Sequence, residues 1–201
     1  MKHAGPSWGI WKIEESSGAL FSLLRNGEEY LPQLESIRTE PRRREWLASR
    51  VLLQELAGGP VRIAYRPNGA PYLSDSSLHV SISHTKGYAA VLLQDRPAAG
   101  IDIEYRSARV LKIRRRFMNP EEEAAIDKGH ETEHLLLHWC AKETLFKMVG
   151  QEGVDFLCHL HVRPFPYAEE GSFTVFETRT EEGSVFRLNY LVTPDFVLTR
   201  S

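Results

Sequence analysis

The sequence predicts an α+β fold, in which strand-like alternation is interleaved with long helical periods. Residues 78–83 (Leu-His-Val-Ser-Ile-Ser) alternate between apolar and polar side chains, as expected of a strand with one buried face. Residues 41–56 and 131–149 have helical character instead, and glycines follow both runs as stop signals. The order strand, helix, strands occurs up to about residue 95, and a similar order with more helices follows it.

In the first half, turn signals separate the strand-like runs. Asn68-Gly69 is typical of a hairpin turn, and Asp95-Arg96-Pro97 predicts the turn after the last of these strands. The strands expected here are residues 8–13, 61–65, 71–73, 78–83 and 88–93.

The second half opens with the strand of residues 101–104 and continues with helices. The helices expected are residues 108–117, 120–128 and 131–149. The second begins with Asn-Pro-Glu-Glu at residues 119–122, which places a capping residue, a proline and two acids at the positive end of the helix dipole. Three or four further strand-like runs are expected from residue 159 to the end.

Composition indicates an ordinary globular protein. Of the 201 residues, 42% are hydrophobic and 26% are charged, and 25 Lys plus Arg against 27 Asp plus Glu give a net charge of −2. We see no apolar run typical of a secretion signal and no stretch near the roughly 20 apolar residues of a membrane helix. Cys140 and Cys158 have no metal-binding spacing and do not suggest a disulfide framework. We therefore expect a cytoplasmic protein that binds neither membranes nor nucleic acid.

Two short segments carry most of the chemical information. In residues 100–104 (Gly-Ile-Asp-Ile-Glu), strand alternation places both acids on one side and both isoleucines on the other. In residues 139–147 (Trp-Cys-Ala-Lys-Glu-Thr-Leu-Phe-Lys), helical spacing aligns Trp139, Glu143 and Lys147 on one face. Such a set suits Mg²⁺ holding a phosphate ester, because Mg²⁺ favours a few protein oxygens completed by phosphate and water.

Together these segments resemble the signature of the 4'-phosphopantetheinyl transferases, in particular the larger, monomeric type that activates peptide synthetases and fatty-acid synthases. That family has Gly-Ile/Val-Asp-x-Glu, then Trp-Ser/Ala-x-Lys-Glu-Ser/Ala-x-x-Lys, with Ile-Ser-His-Ser/Thr upstream. The matching residues here are Gly100, Asp102, Glu104, Trp139, Lys142, Glu143, Lys147 and the block Ile82-Ser83-His84-Thr85. Cys140 and Thr144 stand where the family usually has Ser or Ala, a difference that concerns packing more than chemistry.

The resemblance implies two similar α/β lobes related by a pseudo-twofold axis, with the active site in the cleft between them. Residues 1–95 would form the N-terminal lobe, on the nucleotide side of coenzyme A. Residues 96–201 would form the C-terminal lobe, with the metal ligands and the signature helix. The repeated order of elements is compatible with this plan, although no sequence repeat is visible.

The resemblance also implies an activity. These enzymes transfer the phosphopantetheine arm of coenzyme A to a serine of an apo acyl or peptidyl carrier protein, with Mg²⁺ as cofactor, and release adenosine 3',5'-bisphosphate. The chain would then be a monomeric holo-carrier-protein synthase with coenzyme A as co-substrate. Two alternatives remain: a catalytically silent relative that binds coenzyme A or a carrier protein as a regulator, and a metal-dependent phosphoesterase on another fold. The filled signature disfavours the first, and the second does not explain the helix motif.

The resemblance assigns roles to the signature residues. Asp102, Glu104 and Glu143 would bind Mg²⁺, and Glu143 would ligate the metal, accept the serine proton, or both. Lys142 and Lys147 would direct their charges at the pyrophosphate. Taken alone, an Asp-x-Glu pair is more often the solvated face of an edge strand, and Lys147 would be an ordinary i,i+4 partner of Glu143.

The first lobe is expected to supply the remaining contacts to coenzyme A. By resemblance, Ser83 and His84 would hydrogen-bond its phosphates, although a lone Ser-His pair is usually structural. The 3'-phosphate needs cations, and arginine can hold a phosphate with two hydrogen bonds. The alternative for each candidate is a solvated helix face, and Arg44 and Arg50 are preferred; the candidate cluster is Arg42, Arg43, Arg44 and Arg50. The family often has a lysine in the turn that here reads Gly69-Ala70-Pro71, so one expected cation is missing.

The carrier proteins that this family modifies are acidic, so the resemblance also implies a basic docking surface. The segment after the metal strand offers one, and its alternative is the ordinary polar face of an amphipathic helix. The candidate docking residues are Arg109, Lys112, Arg114, Arg115 and Arg116.

Overall fold

The computed structural model describes residues 7–201, which divide into two compact units. Unit 1 extends to Ala99, and unit 2 runs from Gly100 to Ser201. Both contain helices and strands, which confirms the α+β class. The boundary expected after residue 95 lies in the same connection, and residues 1–6 of the expected N-terminal lobe lie outside the described residues. The pseudo-twofold relation and the cleft stay predictions.

Unit 1 consists of a three-stranded antiparallel sheet, a separate short hairpin and helices. The sheet has the order β1-β5-β4, and the longest helix of the unit, α3, contacts all three strands. The strands are β1 (Ser7–Lys12), β4 (His79–Thr85) and β5 (Tyr88–Gln94), with β2 (Ile63–Tyr65) and β3 (Pro71–Leu73) forming the hairpin. The helices are α1 (Ser17–Leu23), α2 (Leu31–Ser36) and α3 (Glu40–Ala57).

The sequence prediction located α3 and the strands of unit 1 but left α1 and α2 unassigned. α3 ends as expected, because Gly58 adopts the left-handed conformation (φ 74°) that stops a helix. α1 starts at a local signal: the Ser16 side chain accepts a hydrogen bond from the Ala19 amide. Its buried Leu20 packs in the same core cluster as Leu47 of α3. Tertiary packing therefore stabilises this helix, which is too short to show a clear helical periodicity in the sequence.

Unit 2 is a five-stranded antiparallel sheet in the order β6-β10-β9-β8-β7, contacted by the long helix α6. Three or four strands were expected after residue 159, and the structure has four. The strands are β6 (Ile101–Tyr105), β7 (Leu160–Val162), β8 (Glu170–Glu177), β9 (Val185–Val192) and β10 (Phe196–Arg200). The helices are α4 (Val110–Ile113), α5 (Pro120–Ala124) and α6 (Glu131–Val149). No helix among residues 7–201 is long and apolar enough to cross a membrane.

Two helices of unit 2 are shorter than the sequence predicts. In place of the expected helix 108–117, the structure has α4 and then a 3-10 turn (Arg114–Arg116). The expected helix 120–128 is α5, which already ends at Ala124. α5 has the capping box that the sequence indicates, between Asn119 and Glu122. It does not continue to residue 128, because the Asp127 side chain accepts hydrogen bonds from the amides of Gly129 and His130 and starts a separate turn.

Candidate active site

The strand β6 and the helix α6 approach each other closely because residue 100 has no side chain. A Cβ atom at Gly100 would lie 2.5 Å from Cγ of Met148 and 2.8 Å from the carbonyl oxygen of Thr144. The two small signature substitutions lie in this buried contact. Cys140 Sγ is 3.2 Å from the Asp102 carbonyl oxygen, and the Thr144 hydroxyl is 2.6 Å from that of Thr199 on β10. Both therefore affect packing, as expected.

The acids of β6 face α6, which confirms the predicted alternation of this strand. Lys147 Nζ donates to Asp102 Oδ1 at 2.8 Å and to the Ile101 carbonyl oxygen at 2.9 Å. Trp139 Nε1 donates to Glu104 Oε1 at 2.8 Å. Asp102 is buried, with 4% of its surface exposed. Trp139 and Lys147, about two helical turns apart on α6, thus each hold one acid of the strand.

Three carboxyl groups lie close enough to perturb one another. Burial raises the pKa of Glu104 to about 7, and the negative charge of Asp102 adds to this rise. Burial likewise raises the pKa of Glu143 to about 7, with further contributions from Asp102 and Glu104, while Lys147 acts in the opposite direction. A buried cluster with excess negative charge gains free energy when a cation binds.

The donor set fits Mg²⁺ in chemistry, although it does not form a complete cage. Carboxylate oxygens are the ligands that this ion prefers. Within residues 7–201, no three His, Cys, Asp or Glu side chains are arranged to hold a metal ion by themselves, and Asp102 is engaged by Lys147. Mg²⁺ commonly takes one or two protein carboxylates and completes its shell with phosphate and water.

Lys142 does not face the acid cluster, which contradicts the expectation that it binds coenzyme A. The residue is 0% exposed. Its Nζ donates to Glu122 at 2.8 Å, to the Phe156 carbonyl oxygen at 3.1 Å and to the Phe117 carbonyl oxygen. An enclosed ammonium with three acceptors is not available to a phosphate. Helical spacing alone does not reveal this enclosure, because Lys142 is three residues after Trp139 and therefore lies beside the face that Trp139, Glu143 and Lys147 share.

In unit 1, the end of β4 meets the start of α3. Ser83 and His84 lie on β4, Ser83 being buried and His84 partly exposed. Arg42 Nη1 is 3.0 Å from His84 Nδ1, and Glu45 Oε2 is 3.4 Å from the same nitrogen. The sequence placed Arg42 in a basic cluster but did not connect it with His84, and it did not single out Glu45, because both contacts join segments distant along the chain.

Arg44 and Arg50, the preferred candidates for the 3'-phosphate, both make contacts within unit 1. Arg50 is 4% exposed, its guanidinium lies 3.8 Å from the centre of the Trp46 ring, and it donates to Ser49 and Tyr65. This enclosure contradicts its expected role as a phosphate ligand. Arg44 is partly buried and donates to the Ile13 carbonyl oxygen at 2.8 Å; its role toward coenzyme A stays a prediction.

The basic segment after β6 is divided between paired and exposed side chains. Arg114 forms ion pairs with Glu123 and Glu131. Arg115 and Arg116 are exposed. Of the candidate docking residues, Arg114 therefore supports the local fold, and its neighbours present their charges to solvent.

Comparison with known proteins matches this chain to one protein family and to individual proteins with the same family name. The sequence model of the 4'-phosphopantetheinyl transferase superfamily matches residues 98–199. A putative 4'-phosphopantetheinyl transferase of Haemophilus influenzae is 31% identical over 107 residues, covering 49% of this chain and 43% of that protein. The 4'-phosphopantetheinyl transferase AcpT of Escherichia coli O157:H7 is 30% identical over 116 residues, covering 55% of this chain and 60% of AcpT. The chain thus spans about half the length of the curated relatives it matches.

Proposed function

Because the chain belongs to the 4'-phosphopantetheinyl transferase superfamily, we propose that it transfers the 4'-phosphopantetheine arm of coenzyme A to a serine of an apo carrier protein. The carrier would be an acyl or peptidyl carrier protein, and adenosine 3',5'-bisphosphate would leave. The observation that carries this proposal is the convergence of Asp102, Glu104 and Glu143 with Lys147 between β6 and α6. By the same proposal, the protein acts as a cytoplasmic monomer.

Transfer of a phosphoryl group depends mainly on positioning and on charge neutralisation. Mg²⁺ held by Asp102, Glu104 and Glu143 would neutralise charge on the pyrophosphate of coenzyme A. Lys147 orients Asp102 through its 2.8 Å ion pair, and its partly exposed ammonium adds a positive charge beside the leaving phosphate.

Glu143 is the proposed acceptor of the serine proton. A general base works best when its pKa lies near the working pH, and without a bound cation burial and the neighbouring acids raise the pKa of Glu143 to about 7. Mg²⁺ bound beside it would lower this pKa and keep the carboxylate ready to accept a proton. Glu104 has a similarly raised pKa, but the Trp139 N–H holds it in place, so Glu143 is the freer of the two to accept a proton.

The proposed contacts to coenzyme A from unit 1 are Ser83, His84 and Arg44. Arg42 and Glu45 lie against His84 and would fix the orientation of its ring. With Arg50 and Lys142 enclosed, the cations proposed for the phosphates are Lys147 in unit 2 and Arg44 in unit 1.

The test is an incubation of the protein with coenzyme A, Mg²⁺ and a panel of apo carrier proteins, followed by intact-mass measurement. We expect one carrier to gain the mass of one phosphopantetheine, and expect no gain with EDTA or with a carrier whose acceptor serine is alanine. Binding of coenzyme A or carrier without any gain would favour a regulator. Release of nucleotide without a carrier would favour a phosphoesterase.

A further inference from the structure

A fully buried ion pair joins α6 to α5 in unit 2. Lys142 Nζ lies 2.8 Å from Glu122 Oε2, and the two residues are 0% and 1% exposed. A buried pair of this kind often contributes little net stability compared with apolar residues, because both charges lose their hydration. Stability alone therefore does not explain why this ion pair lies next to Glu143 in the chain.

The other hydrogen bonds of this ion pair reach three segments: the one before α5, the one after α6, and β7. Besides Lys142, Glu122 accepts from the Asn119 amide at 3.0 Å and from the Val162 amide at 2.9 Å. Lys142 also donates to the carbonyl oxygens of Phe117 and Phe156. The pair thus fixes the backbone of the segments before α5 and after α6.

The two phenylalanines whose carbonyls bind Lys142 also contact Trp139. The Phe117 and Phe156 rings lie 5.2 and 5.4 Å from the Trp139 ring, centre to centre. Trp139 in turn donates to Glu104 at 2.8 Å. A continuous path of contacts therefore leads from Lys142 through both phenylalanines to the indole and on to an acid of the cluster.

We infer that Lys142 is a positioning residue: by holding Phe117 and Phe156 against Trp139, it fixes the indole N–H that orients Glu104 for a divalent cation. The inference rests on the proposed function for the role of that cation. It differs from a phosphate-binding role, because the Lys142 amine never contacts substrate. Groups that orient a metal ligand commonly change metal affinity about 10- to 100-fold when removed.

The test compares Lys142→Met with Lys128→Met, which removes an exposed lysine from the same unit. Metal-free protein is titrated with Mn²⁺, and free Mn²⁺ is measured by electron paramagnetic resonance. We expect Lys142→Met to weaken Mn²⁺ binding about 10-fold or more, with coenzyme A affinity in the absence of metal unchanged and Lys128→Met like wild type. A purely structural role would lower the unfolding temperature and leave Mn²⁺ affinity intact, which would overturn the inference.

A double-mutant cycle with Trp139→Phe tests the path itself. If Lys142 acts through the indole, each single variant weakens Mn²⁺ binding and the double variant is hardly weaker than Trp139→Phe alone. Additive losses would overturn the path. Lys142→Gln, which keeps a donor for Glu122, replaces Lys142→Met in the same measurements if the methionine variant does not fold.

The outcomes separate this inference from the proposed function. If wild type modifies a carrier but Lys142→Met loses affinity for coenzyme A and keeps affinity for Mn²⁺, the inference fails and the function stands. If wild type modifies no carrier while the Mn²⁺ results are as expected, the function fails and the positioning role of Lys142 stands.

Discussion

Asp102, Glu104 and Glu143 are each enclosed beside groups of the same charge, an arrangement that costs folding free energy without a cation. The pKa of Glu104 and that of Glu143 rise to about 7 for this reason. Lys147 offsets part of the charge through Asp102. These acids lower the stability of the metal-free protein and yet belong to the family signature. We therefore expect them to bind a cation.

Asp102→Asn should lower kcat for carrier modification by about 100-fold or more, because it removes the carboxylate charge that Lys147 and the proposed cation share. Intact-mass kinetics at saturating coenzyme A give this number. Circular dichroism should show the fold retained, and Asp95→Asn, in an exposed turn, is the matched control. Activity near that of wild type would contradict the metal assignment.

Glu143→Gln should stabilise the metal-free protein at about pH 8 by about 2–3 kcal/mol. The folded-state pKa of Glu143, about 7, exceeds its ordinary value of 4.5. Between these two values the folded protein binds more protons than the unfolded chain, so its contribution to stability is present at low pH and decreases as pH rises. Urea unfolding near pH 8 and pH 5 measures the effect.

At pH 5 the advantage of Glu143→Gln should fall to about 1 kcal/mol or less, because Glu143 in the folded wild type is then protonated while the unfolded chain is still partly ionised. Mg²⁺ should stabilise the wild type more than the variant. An equal gain at both pH values would show that packing, rather than charge, causes it.

At the scale of elements, the contact between β6 and α6 explains the signature glycine. Any Cβ at Gly100 would meet both the Met148 side chain and the Thr144 backbone. A methyl group there would have to displace the helix that carries Glu143 and Lys147. The glycine is therefore required by the separation of two elements.

Gly100→Ala should destabilise the protein by about 1–3 kcal/mol and lower Mn²⁺ affinity, since overpacking moves α6 away from the strand acids. Urea unfolding and Mn²⁺ titration measure both effects. The control is Gly18→Ala, because a Cβ at Gly18 has no neighbour closer than 4.0 Å. Wild-type stability in Gly100→Ala would contradict the close approach.

The segment after β6 gives a test of carrier docking. Arg115→Glu should raise KM for the carrier about fivefold or more and leave KM for coenzyme A unchanged, because an exposed arginine acts on an acidic partner through charge. The matched control is Lys128→Glu. Arg114 is unsuitable, since its ion pairs with Glu123 and Glu131 would be lost at the same time. Equal effects on both substrates would count against docking there.

At the scale of the whole molecule, the family match covers residues 98–199 and thus nearly all of unit 2. Unit 2 contains the acid cluster, Lys147 and the buried pair of Lys142 with Glu122. The proposed roles of Ser83 and His84 rest on a short motif in unit 1.

Buried histidines should make the stability of the whole fold sensitive to acid. Burial holds the pKa of His138 well below its ordinary value of 6.5, with smaller contributions from His134 and Lys142. The unfolded chain therefore binds a proton below pH 6.5 that the folded protein excludes, and stability decreases as pH falls. His138→Phe should remove about 1 kcal/mol of the loss between pH 7.5 and pH 5.5, measured by urea unfolding against wild type. An unchanged pH dependence would refute this.

Local patterns in the sequence were sufficient for β6, α3 and α6, and for the alternation that places Asp102 and Glu104 on one side of the strand. The approach of β6 to α6 was implied by the family resemblance and not by a local pattern. Alternation and helical spacing repeat within a few residues and depend little on distant contacts. The α+β class follows from the same patterns. The short helices α1 and α2, and the true ends of α4 and α5, depended on packing and on single capping side chains, which carry no period.

Only the tertiary structure decided which charges face the acid cluster and which are enclosed. Lys142 carries the same formal charge as Lys147, and Arg50 the same as Arg44. Lys142, however, is enclosed by acceptors remote along the chain, and Arg50 is enclosed by Trp46, Ser49 and Tyr65. The amino-acid sequence determines the formal charge of each side chain. Whether that charge meets a substrate depends on the solvent and the acceptors that folding brings to it.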